Sequence, residues 1–154
     1  MNLRLKTLLG ILFIANLTLF GQTQSEIQKG KITIPIKTEI NFSFKEKRGK
    51  FKNFEIIAEK DLTEPSKLMN AMSEKPENFE GISIKFNESD FGIILILIHK
   101  LKEPIIYKAR IKIKGRSGLV DTTIHPSHPN VLSIEQWKDD IEAIELFDFE
   151  YYNE

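Results

Sequence analysis

Between residues 31 and 45 apolar and polar side chains alternate almost without error. Ile32, Ile34, Ile36, Ile40, Phe42 and Phe44 fall in one set, and Lys31, Thr33, Lys37, Glu39, Asn41, Ser43 and Lys45 in the other. Period-two alternation is the pattern of a β-strand with one buried face. At about 3.3 Å per residue the run would extend roughly 50 Å, well beyond ordinary strand length, so it must bend or divide. Pro35 is the expected break, because proline has no N–H to give to a ladder.

The rest of the chain repeats the theme. Lys47, Arg48, Gly49 and Lys50 supply a charged turn, with the glycine free to take positive φ, and alternation resumes through Phe54, Ile56 and Ala58, which completes a first hairpin. Ile82, Ile84 and Phe86, a turn at 87–90 and the apolar stretch 91–98 predict a second hairpin; 105–114 and 119–124, joined at Gly115 and Gly118, predict a third. A last strand is expected over 144–152, where Phe147, Phe149 and Tyr151 alternate with Asp148 and Glu150.

Two segments carry a different rhythm. Thr63 as cap, Pro65 at an early helical position and Leu68, Met69 and Met72 on one face predict a short helix ending before Pro76. Ser133 and Gln136 match a capping box, with Ile134, Trp137 and Ile141 at helical spacing, and predict a second. The expectation is therefore an all-β fold, a two-layer antiparallel β-sandwich of about seven strands with one or two short helical insertions; a small barrel is the alternative. The chain has the length of one ordinary domain, placed at 31–154 behind a flexible stretch at 22–30.

Residues 1–21 read as a signal peptide. Arg4 and Lys6 precede an apolar run at 8–20, too short to span a bilayer, and Gly21 stands where a peptidase would cut. Export, to the periplasm or cell exterior, combines with a cysteine count of zero, so a disulfide framework is excluded along with thiolate chemistry, and the core must hold by packing alone. A bacterial envelope suits that combination better than a eukaryotic secretory route. No motif implies a cofactor. Loss of Arg4 and Lys6 with the leader takes the 22 basic residues to 20 against 22 acidic ones, a net charge of −2, which argues against nucleic acid as a partner.

Three features could carry function. His125 and His128, each before a proline and therefore biased to extended backbone, project from a 121–128 loop with Asp121 beside them; a metal would need His99 or Asp121 as a third ligand. Lys108, Arg110, Lys112 and Lys114 form a basic row that could meet an anionic surface or could pair with the acidic last strand, where Glu142, Glu145, Asp148 and Glu150 lie; the paired reading is the expected one. Trp137, Tyr151 and Tyr152 could stack on sugar rings or close the core.

The function these features support first is a non-catalytic binding module with a protein or glycan partner, His125, His128 and Trp137 being the binding candidates. A secreted hydrolase or metal-binding protein built on the 121–128 loop is the alternative. Ile93, Ile94, Leu95, Ile96, Leu97 and Ile98 are apolar on both faces, so a cover is required, either the 62–72 helix within the chain or, outside it, a partner or a second copy. Intact-mass measurement on envelope fractions should find a chain beginning at or within a few residues of Gln22; Met1 retained on a membrane-embedded species would refute the leader.

Overall fold

The computed structural model of the chain describes residues 24–67, 70, 73 and 79–153. The leader at 1–21 lies outside the described residues, as do Leu68, Met69 and Met72 of the expected helix. No helix among the described residues is long and apolar enough to cross a membrane.

The fold is all-β: β1 (Glu26–Gln28), β2 (Lys31–Pro35), β3 (Thr38–Lys47), β4 (Lys50–Asp61), β5 (Ile82–Ser89), β6 (Gly92–His99), β7 (Ile105–Ile113), β8 (Val120–Thr122), β9 (Ser133–Trp137) and β10 (Ile141–Tyr151). The long alternating run divides where proline requires it. β2 ends at Pro35, and after Ile36 and Lys37 the chain re-enters as β3 beside different neighbours.

The strands fall into two groups, β1-β2-β10-β7-β8 and β4-β3-β5-β6-β9, and every ladder between named strands is antiparallel. They share a single core, in which Ile32, Ile34, Ile111, Ile144 and Leu146 of the first group meet Ile40, Phe42, Ile84, Leu95 and Leu97 of the second. That arrangement is compatible with a two-layer sandwich, with one difference: the groups are hydrogen-bonded to each other at a corner. β10 pairs with β2 through Ala143, Ile144, Glu145 and Leu146, and further on the same strand takes β4 as its neighbour at Glu150 and Lys50.

Between those ladders β10 is bulged, and Asp148 adopts φ 54°, a conformation that aspartate tolerates better than most residues. The bulge turns Phe149 into the core, where it is 1% exposed. Its ring stacks on Tyr107 at 4.9 Å, meets Phe42 edge-on at 5.9 Å and lies 5.4 Å from Phe54. Strands from both groups are thus fastened at one side chain.

Among the described residues there are ten strands rather than about seven, and two local expectations change. Glu26–Gln28, in the stretch read as flexible, pairs with β2. The helix expected from Ser133 is strand β9, laid against β6 with Ile134 opposite Ile96 and Trp137 opposite Ile93. Helical spacing put Ile134 and Trp137 on one face; as a strand they point to opposite faces, Ile134 to the outer cluster with Ile94 and Ile96, Trp137 to the main core. The free edge of β6 explains the outcome, since pairing satisfies a row of main-chain groups that a short helix would leave open. Asn70 and Ser73 are the described residues with helical backbone.

Both faces of β6 are covered, as its composition demands. Ile93, Leu95 and Leu97 enter the main core, and Ile94 and Ile96 pack with Leu132 and Ile134. Gly92 opens this strand at φ 120°, and a Cβ there would come within 2.3 Å of the Trp137 carbonyl oxygen, so glycine is what allows β9 to close on β6. Replacing Phe149 by alanine should cost about 3–5 kcal/mol in chemical denaturation, the range for a large buried aromatic; a loss under about 1 kcal/mol would show that the corner is held by something else.

Candidate functional site

β8 and β9 are the outer strands of the two groups, and side chains bridge the space between them. Trp137 Nε1 donates to Thr122 Oγ1 at 2.8 Å, and the Glu135 carboxylate accepts from the His125 main-chain N–H at 2.9 Å and lies 3.1 Å from His125 Nδ1. Ser133 Oγ donates to Ser127 Oγ at 2.8 Å. The loop at 123–132 is therefore tied to β9 rather than free.

Of the binding candidates, His125 and His128 are both exposed, as their loop position predicts. The structure pairs His125 with Glu135, a partner the sequence reading did not name, and leaves His128 outside that pair. Trp137 is half-buried, edge-on to Phe86 at 6.5 Å, with its N–H already engaged by Thr122. Asp121 sits on β8 opposite Arg110. Among the described residues no three ligating side chains converge on one point. Ser127, the hydroxyl between the two histidines, is fully buried and taken by Ser133.

His99 comes to this loop from β6. Its Nε2 lies 3.0 Å from the Ser127 carbonyl oxygen, which fixes the N–H on that nitrogen, and Nδ1 has no partner. Burial lowers the pKa of this fully buried imidazole below the usual 6.5; the Ser127 contact opposes the shift and nearby His128 adds to it. The same Ser127 carbonyl accepts from Ile105 N–H at 2.9 Å, so one main-chain oxygen ties β6, β7 and the loop together.

The basic row on β7 meets β10 as expected. Lys108 bonds to Asp148 at 3.0 Å, Arg110 engages Glu145 through both Nε and a terminal nitrogen, and Lys114 lies 3.4 Å from Asp140. Lys31 joins the same Glu145 at 3.4 Å, and Lys31 and Arg110 both lie over the Phe147 ring. Lys108, Arg110 and Lys114 are thus ion-paired, while Lys112 donates to the Arg116 carbonyl oxygen.

The opposite holds at the tip of the β3–β4 hairpin. Lys45 stands directly across from Lys52, and Lys47 directly across from Lys50. Alternation puts these four lysines on the face away from Phe44 and Phe51, whose rings stack at 4.0 Å on the core side. All four, and Arg48 in the turn, are exposed, and none forms an ion pair among the described residues. Glu46, the acid within this hairpin end, accepts from Gly49 N–H and interacts with Tyr151 instead.

Beside the tip lies an open cleft of about 410 Å3, whose lining includes Arg48, Lys50, Glu150, Tyr151, Tyr152 and Asn153. The sequence reading treated 47–50 as a turn only. The signal it passed over was the alternate spacing of Lys45 and Lys47, then Lys50 and Lys52, around a two-residue turn, which sets like charges opposite one another once the register is known. Set against protein-family models, curated proteins and solved structures, the chain matches none of them.

His99 makes the loop sensitive to acid. Its folded pKa lies below 6.5, so the unfolded chain binds the proton more readily; stability is complete above pH 6.5 and is lost as pH falls through 6.5 toward the folded value. Thermal melts between about pH 5 and 7, a range above most carboxylate titrations, should show that loss. In His99→Gln, which keeps a donor for Ser127 without titrating, the slope should flatten; an unchanged slope would place the proton elsewhere.

Proposed function

We propose that this chain is an exported, non-catalytic binding module of a bacterial periplasm or cell exterior, and that it holds a polyanionic partner on the four-lysine face of the β3–β4 hairpin. The observation that carries the reading is the pair of like-charge oppositions, Lys45 with Lys52 and Lys47 with Lys50. Each opposes hairpin formation by a few tenths to about 1 kcal/mol. Three of the four cations in the β7 row are ion-paired, whereas the four tip lysines form no ion pair among the described residues, although Glu150 of β10 lies across from Lys50. Local rules broken without a compensating contact are expected at functional sites.

The surroundings suit capture rather than catalysis. The lysines are long and mobile at their ends but rise from a hairpin stiffened by the Phe44 and Phe51 stack, so the array is held in place while its ammonium groups adapt. With the mature chain at net −2, the attraction is local to the tip, and a polyanion is drawn to this edge rather than to the molecule as a whole.

Three variants separate function from fold. Lys47→Glu creates an opposite-charge pair with Lys50 and should leave stability equal or up to about 1 kcal/mol higher, while weakening retention on immobilised heparin. Lys47→Gln with Lys50→Gln should elute at lower salt than the parent. Lys108→Gln with Lys114→Gln, which removes the same charge from the paired row, should elute close to it. Equal shifts in the two double variants would mean that total charge alone governs retention, and the reading would fall.

A further inference from the structure

We infer that the partner of the hairpin face is a carboxylate-bearing polysaccharide, one sugar unit of which occupies the adjoining cleft. This rests on the binding-module reading above and adds the chemistry of the ligand. The lysine array alone would take any polyanion: its opposed pairs stand about 5 Å apart across the hairpin and its successive residues about 7 Å apart along it, which suits repeating anionic groups without identifying them. The cleft narrows the choice, because Lys50 belongs both to the array and to the cleft wall, so one ligand must satisfy both.

That wall is not purely cationic. Glu150 lies directly across from Lys50 on β10 and lines the same cleft, yet the two form no direct ion pair. A carboxylate accepts hydrogen bonds and repels anions, so it is out of place in a site for polyphosphate or for a nucleic-acid backbone. For a sugar it is an asset, since ring hydroxyls are donors that a phosphate chain lacks. Tyr152, half-buried at the opening, offers an aromatic face and a hydroxyl, and Asn153 offers an amide. Cations for the ligand's carboxylates, with an acceptor, an amide and a ring for its hydroxylated face, together describe an acidic sugar polymer. Tyr151 also lines the cleft, with its ring packed edge-on against Phe51 at 5.0 Å.

The sign of one substitution decides the matter. Glu150→Ala removes a negative charge beside the lysines, so binding governed by charge alone must tighten toward every polyanion. Where Glu150 accepts sugar hydroxyls, the same change must weaken binding to a hydroxylated one. Calorimetry on the purified protein should show oligogalacturonate binding about tenfold more tightly than polyacrylate of matched charge, which has the carboxylates without the rings. Glu150→Ala and Tyr152→Ala should each weaken oligogalacturonate by about tenfold, the scale of one lost charge-assisted hydrogen bond or one ring contact. Tighter or unchanged oligogalacturonate binding in Glu150→Ala overturns the inference, as does tighter binding of polyacrylate, inorganic polyphosphate or a DNA oligonucleotide to the parent protein. If the hairpin variants still lose heparin retention, those results remove the sugar and leave the polyanion reading standing. If the hairpin variants keep retention, both fall together.

Discussion

The fold depends on one strand serving two sets of neighbours. β10 pairs with β7 along most of its length, takes β2 on its other side through Ala143, Ile144, Glu145 and Leu146 and reaches β4 at Glu150, and the change is made at a bulge where Asp148 sits in left-handed backbone. A bulge reverses which side chain faces inward, and here it delivers Phe149 to the aromatic group formed by Phe42, Phe51, Phe54 and Tyr107. Without that inward turn the two strand groups would share apolar surface but no hydrogen-bonded corner. Offset and edge-on ring contacts add about 0.5–1.5 kcal/mol each beyond area burial, so this corner is fastened by geometry as well as by exclusion of water.

Much of this was readable from the residues alone. The alternation at 31–45, its division at Pro35, the three hairpins and the doubly apolar β6 all follow from periods and breakers, which are local properties. β9 was misread because its spacing fits a helix and the deciding influence, the vacant edge of β6, lies some forty residues away. β1 escaped notice because three residues carry too little pattern to announce a strand. The site was legible only in its ingredients. His125 and His128 were visible, but Glu135 and His99 become their neighbours through pairings that no spacing encodes. The lysine face needed the register of β3 on β4, which a two-residue turn fixes; alternate lysines on both sides of Arg48 and Gly49 were the available clue.

The contrast between the two basic strands illustrates how little the composition of a segment says about its surroundings. β7 and the β3–β4 tip are each rich in lysine. On β7 a neighbouring strand supplies Glu145, Asp148 and, just before it, Asp140. At the tip β3 and β4 set lysine opposite lysine, and the one acid that β10 places across from them, Glu150, forms no direct ion pair with Lys50. A basic run is therefore paired or left open according to the acids that neighbouring strands bring within reach of its side chains.

The join between β8 and β9 has a different character from the corner at Phe149. It is spanned by side chains, Trp137 to Thr122, Glu135 to His125 and Ser133 to Ser127, where the corner has a main-chain ladder and a cluster of rings. Main-chain ladders are lost cooperatively with the strands that bear them, while a few side-chain bonds can part without disturbing either strand. The molecule is accordingly built like a book, with its spine at β10 and its fore-edge at the loop over β9. Opening is expected to begin where β8 meets β9, while Ser127 and Asn130 of the loop stay tied by their main-chain N–H groups to Ile105 and His99, and β6 has both edges and both faces occupied.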